Sequence, residues 1–183
     1  MRINTINMKI ASRILLLAMV SLLTCFCGGK KKQDQESLMA PKGMKYIDIS
    51  RTGMNLYVLS PDSTRGELDT VMQSNGEYQM KVGKDFQISV LEGPGDVAQK
   101  KADITNDDVN KLKKYVIDDG STLLWESGIA DISEFHFMFI SKVGERSYIF
   151  EDIKGEPFSQ DAIQKMLDAC KQSKEKKNQK AES

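Results

Sequence analysis

Two alternating runs joined by a glycine constrain this chain most. Tyr78, Met80 and Val82 alternate with Glu77, Gln79 and Lys81, and beyond Gly83 the residues Phe86, Ile88 and Val90 repeat the pattern. A period of two puts every apolar side chain on one face of a pleated strand, so these runs predict half-buried antiparallel strands. Asn75-Gly76 just upstream is a strong hairpin signal, because both turn positions of a tight hairpin need positive φ. It joins a strand over 67–74 to the one over 77–82. A sheet with one buried face is therefore the frame into which the rest must fit.

Two further strands precede this hairpin, over 44–50 and 54–60, separated by Arg51-Thr52-Gly53 and closed by Pro61-Asp62. Glu92-Gly93-Pro94-Gly95-Asp96 is glycine-rich but lacks the Lys-Ser/Thr of a phosphate loop, and reads as a turn with no helix directly after it. Thr105-Asn106-Asp107-Asp108 carries the residue types of a helix start, the acidic groups complementing the positive end of the helix dipole. Val109, Leu112, Val116 and Ile117 then form an apolar stripe at helical spacing, and Gly120 is the stop. Strands return over 122–126, 134–143 and 146–153. Pro157 and Ser159 introduce a final helix, Gln160 to about Lys171, with Ile163, Met166, Leu167 and Cys170 on its apolar face.

This order predicts an α+β domain: a predominantly antiparallel sheet with two helices packed on one face. In outline it resembles PsbP-like domains, which also place helices on an antiparallel sheet. That resemblance is architectural and assigns no site residue. Two stretches, 77–118 and 134–171, share a hairpin-then-helix order, but the spacing does not make a repeat protein.

The N-terminus has a different character. Arg2, Lys9 and Arg13 precede an apolar run from Ile14 to Val20 with Leu22 and Leu23, too short to span a bilayer core of about 30 Å. With the junction Leu22-Leu23-Thr24-Cys25, it resembles the signal peptide of a bacterial lipoprotein. The resemblance implies removal of residues 1–24 and acylation of Cys25 with palmitate-type chains. It also implies residence in the bacterial cell envelope, anchored to a membrane and facing the periplasm. Residues 25–37, with Gly28, Gly29 and a lysine triplet, then read as a flexible tether. Residues 38–170 form a single domain, and 171–183 a polar tail expected to fray into disorder.

Charge narrows the partners. The chain as a whole is neutral, yet its basic groups concentrate at the two ends and the body over 38–170 is acidic. Phosphate backbones need a cationic face, so nucleic acid is excluded as a partner. The membrane, through acyl chains on Cys25, and an envelope protein partner are the associations this chain suggests.

No catalytic set, cofactor motif or metal-ligand spacing is legible. Cys25-Phe26-Cys27 lacks the second ligand pair that a zinc site needs. Cys170 continues a helical apolar series and reads as a buried thiol. Asp107-Asp108, Asp118-Asp119 and Glu151-Asp152 lack the alternation of a calcium loop. They read instead as a helix cap, a turn and exposed strand-end charge. His136, the sole histidine, lies in Glu134-Phe135-His136-Phe137-Met138-Phe139-Ile140, so Glu134, His136, Met138 and Ile140 share one face and the phenylalanines the other. It is expected to be a satisfied, partly buried strand histidine, with a general base beside Glu134 as the competing reading. Trp125 shares a face with Leu123 and is expected in the core, an aromatic platform for a ligand being the alternative. Together these features favour a membrane-anchored, non-catalytic binding or accessory module. An envelope hydrolase or ligand-processing enzyme using His136 with Glu134 is the second hypothesis.

Overall fold

The computed structural model describes residues 38–130, 132–155 and 157–177. The signal-peptide, Cys25 and tether assignments lie outside them. From Ala40 onward the described residues belong to one compact unit.

The chain folds as α+β, the described residues forming ten strands in two antiparallel sheets and two α-helices. Strands β1 (Met44–Asp48) and β2 (Leu56–Pro61) pair as a hairpin in a small sheet. Strands β3 (Leu68–Met72), β4 (Tyr78–Val82) and β5 (Phe86–Glu92) open a larger one. Helix α1 (Val97–Asn106) leads to β6 (Lys111–Asp118), β7 (Thr122–Ile129), β8 (Ile132–Val143) and β9 (Arg146–Asp152). Helix α2 (Gln160–Cys170) and the short β10 (Lys174–Glu175) end the described chain. The large sheet runs β3-β4-β5-β9-β8-β7-β6, which makes β8 a central strand.

The period-two runs form the strands they suggest. Met80 opposes Ile88, and Val90 opposes Phe150. The Asn75-Gly76 turn differs in detail from a two-residue hairpin loop. The Gln73 N–H donates to the Glu77 carbonyl at 2.8 Å, leaving three residues in the loop. Gly76 alone takes positive φ (86°), while the Asn75 side chain accepts the Glu77 N–H.

The largest departure concerns the first helix. The segment expected to be helical from Thr105 to Ile117 is mostly strand β6, and the helix lies before it. The register between β6 and β7 slips twice, between Leu112 and Lys114 and between Tyr115 and Ile117. Each bulge inserts an unpaired residue and breaks the period of two, so Leu112 packs with Tyr115 while Val109 and Val116 of the expected stripe are exposed. Thr105 does not open a helix; its hydroxyl bonds back to the Lys101 carbonyl in the last turn of α1. The true N-cap is Asp96, whose carboxylate accepts the Gln99 N–H. The Gly-Pro-Gly turn thus does lead directly into a helix. Gly95 sits at φ 63°, where a Cβ would come within 2.7 Å of Ile140 Cδ1. Only glycine lets the chain pass that close to the sheet before α1 begins.

The helices occupy opposite faces of the large sheet, where the sequence suggested one. Ile163, Met166 and Leu167 of α2 pack with Met80, Ile88, Phe137 and Phe150, and the small sheet adds Leu56, Val58 and Leu59 to this core. Ile104 of α1 packs instead with Leu123, Trp125 and Met138 on the other face. The alternation along β8 explains the split, since the phenylalanines feed the first cluster and Met138 the second. Cys170 is a fully buried free thiol whose pKa burial drives upward.

The polar segment after Lys171 does not fray at once. Lys174 and Glu175 pair with Tyr57 and Leu56, and Lys176 Nζ reaches Asp48 at 2.7 Å and Ser50 at 2.8 Å. An unpaired edge of β2 supplies backbone partners that need no apolar side chain in return.

Candidate functional site

The face under α1 holds a cleft of about 800 Å³ with His136 in its floor. Strands β7 and β8 line its floor, and the adjacent third strand, β9, supports it from behind through Asp152. In the β7–β8 hairpin, Trp125 lies directly across from His136, and Ser127 across from Glu134. The indole and imidazole rings sit 5.4 Å apart between centroids, inclined at 35°. Trp125 is only 5% exposed and belongs to the core cluster with Ile104, yet it also borders the cleft.

The third strand contributes a residue that sequence reasoning missed. Asp152 was expected to be exposed strand-end charge, but it is buried and bonded to His136: its Oδ2 lies 2.8 Å from Nδ1. Its Oδ1 accepts the Phe137 N–H at 2.8 Å. The paired ladder between β8 and β9 stops at Met138 and Glu151, so the next backbone donor needs another acceptor. The carboxylate of Asp152 fills that place and turns toward the imidazole. A signal for this existed: counting out from the Gly144-Glu145 turn puts Asp152 opposite Phe137, beside His136. Its neighbour Glu151 is also engaged, receiving Lys100 of α1 at 2.7 and 2.8 Å.

The second ring nitrogen of His136 is occupied too. Nε2 lies 3.2 Å from Glu134 Oε1. An imidazole facing a carboxylate at each nitrogen satisfies both only when both nitrogens carry protons. Burial works to lower the His136 pKa, but the bonds and charge of Asp152, with a smaller contribution from Glu134, outweigh it and hold the pKa above its ordinary value. The structure therefore joins Trp125, Glu134 and His136 at one place and adds Asp152 to them.

Chemically this arrangement favours a fixed cation over a base. A general base needs a free lone pair aimed at the proton it removes, and neither ring nitrogen is free. Ser127 is the nearby hydroxyl, but its Oγ approaches Glu134 Oε1, at 3.5 Å. No group of three or more potential metal ligands gathers among the described residues.

The rim is apolar. Ile129 and Ile132 end the β7–β8 hairpin with 46% and 63% exposure. Their connection holds Ala130 at φ 53°, a left-handed conformation that a non-glycine residue adopts at a cost. The far wall comes from the end of α1 and the turn after it. There Asp107 accepts the N–H groups of Val109 and Asn110 at 2.9 and 2.8 Å, so it caps a turn and not a helix start. Asp119 likewise holds the β6–β7 turn through the Thr122 N–H. Compared with protein-family models, with curated proteins and with solved structures, the chain matches none.

Proposed function

We propose that this protein is an envelope lipoprotein, held to a membrane by acyl chains on Cys25, whose folded domain binds a ligand without transforming it. The N-terminal pattern supports the anchor, and the acidic body argues against nucleic acid as the partner. One observation carries the binding reading: an open cleft with an exposed isoleucine rim lies over a floor whose histidine is clamped at both nitrogens. Exposed branched side chains at a cleft mouth favour an apolar contact. The clamp removes the residue that would otherwise serve as catalyst.

The second reading, an enzyme centred on His136 and Glu134, has one observation in its favour. His136 does open onto a cleft, with carboxylates and a serine close by. A single experiment separates the two. The full-length protein is incubated with a small-molecule extract of bacterial envelopes, re-isolated, and the retained compounds identified by mass spectrometry. A compound retained and recovered with unchanged mass supports the binding module. Time-dependent conversion of a compound, abolished in His136→Gln, would establish the enzyme instead. Labelling with a radioactive fatty acid, lost in Cys25→Ala, tests the anchor separately.

A further inference from the structure

The chemistry of the cleft narrows what it takes. Among the charged groups that line it, two cations are already committed. Lys100 is held by Glu151, and His136 by Asp152. That leaves the carboxylates of Asp103, Asp107 and Glu134 against Lys154 alone, an acidic cavity. Asp103 is engaged by Gln99 Nε2 and Asp107 by its own turn.

Glu134 is the exception. Both of its protein contacts fall on Oε1, from His136 Nε2 and Ser127 Oγ. Its Oε2 has no partner among the described residues and is not sealed from solvent. A carboxylate oxygen held in place by a neighbouring imidazole, beside an indole and under an apolar rim, is arranged to receive a charged donor. The aromatic face adds attraction for a cation, as Lys100 Nζ already shows by lying 5.7 Å from the Trp125 ring centre.

Building on the binding reading above, we propose that the cleft recognises a ligand with an ammonium group on a compact apolar body. The ammonium donates to Glu134 Oε2, and the body rests against Ile104, Ile129 and Ile132. Anionic ligands are repelled by Asp103, Asp107 and Glu134. The role of His136 is positional: it fixes the Glu134 carboxylate.

Trp125 is the only tryptophan in the chain, so its emission reports on this cleft alone. The full-length protein is titrated at neutral pH with cyclohexylammonium, cyclohexanol and cyclohexanecarboxylate, which share one apolar body. The expected result is a saturable change in Trp125 emission, with the ammonium binding at least tenfold tighter than the alcohol and the carboxylate weakest. Glu134→Gln should weaken the ammonium tenfold or more and leave the alcohol within twofold. The proposal is overturned if the carboxylate or the alcohol binds as tightly as the ammonium, or if a folded Glu134→Gln variant keeps full ammonium affinity. Because the ranking is measured on the unaltered protein, it decides the matter even where the variant does not fold. Saturable binding in the wrong order sinks the ammonium specificity while leaving the binding module standing. Absence of saturation with all three also sinks the ammonium specificity, and the extract experiment then judges the module independently.

Discussion

The two faces of the large sheet are built from the same strands and are packed to different ends. On the α2 side, Phe137, Phe150, Met80, Ile88, Ile163 and Met166 interlock with the small sheet, each nearly or wholly excluded from solvent. On the α1 side, the buried apolar set is small, Ile104, Leu123, Trp125 and Met138, and it borders a cleft. There the strands present polar groups, among them Glu134 and His136. One face holds the domain together, and the other, relieved of that task, can keep a cavity and a buried histidine between two carboxylates. The α1 helix reflects the division, since it buries Ile104 alone whereas α2 buries a full stripe.

The comparison breaks most directly in the core. Phe150→Ala should lower stability by about 3–5 kcal/mol in urea unfolding, the usual cost of an aromatic cavity. Ile104→Ala on the other face should cost distinctly less, because the cleft beside it already admits solvent. Equal losses would show that the α1 face carries as much of the fold as the α2 face.

Asp152 ranks close behind, because its carboxylate holds both the His136 ring and the Phe137 N–H. Removing it strands a buried imidazolium and leaves the Phe137 N–H without its acceptor. Asp152→Ala should therefore cost about 3 kcal/mol or more. Adding His136→Gln should recover part of that loss, because the unpaired charge goes with it. Simple additivity of the two variants in a double-mutant cycle would mean the pair is not coupled.

The same pair sets a dependence on pH. With its folded pKa raised, His136 contributes stability that is fully present below the unfolded value of about 6.5 and is lost as pH climbs through the folded value. Between pH 6 and 8 the unfolding midpoint should fall in the wild type, and the part due to this residue should vanish in His136→Gln. A midpoint that rises across that window in the wild type alone would place a neutral imidazole in the native state.

At the surface the effects become small. Lys176→Ala should leave the unfolding midpoint nearly unchanged, as the loss of an exposed ion pair does, even though the residue joins Asp48 and Ser50. Ile132→Glu should change stability by roughly 0.5 kcal/mol or less while weakening any apolar ligand of the cleft. A large thermal shift from either substitution would mean these edges are part of the core.

How much of this was legible obeys the same division. Strands β4 and β5 could be read residue by residue because their alternation is uninterrupted and one face is wet. The α2 helix was equally plain, with Ile163, Met166, Leu167 and Cys170 in a single stripe. Strand β6 was hidden by its bulges, which interrupt the alternation and left Val109, Leu112, Val116 and Ile117 to be read at helical spacing. Helix α1 was hidden because it buries too little for its apolar residues to show a period. At the site, His136, Glu134 and Trp125 stood out by residue type and parity along the strands. Asp152 did not, because its role comes from a ladder end, which only the β8–β9 register reveals.

The state of His136 is where the reading of this site stands or falls. As the sole histidine of the chain, its two ring nitrogens can be observed without ambiguity by ¹⁵N–¹H correlation spectroscopy across a pH titration. The clamp by Asp152 and Glu134 predicts two protonated nitrogens that persist above the pH at which an unperturbed histidine, near 6.5, is half neutral. A midpoint at or below that value, with an unprotonated Nε2 open to the cleft at neutral pH, would contradict the clamp and restore His136 as a base.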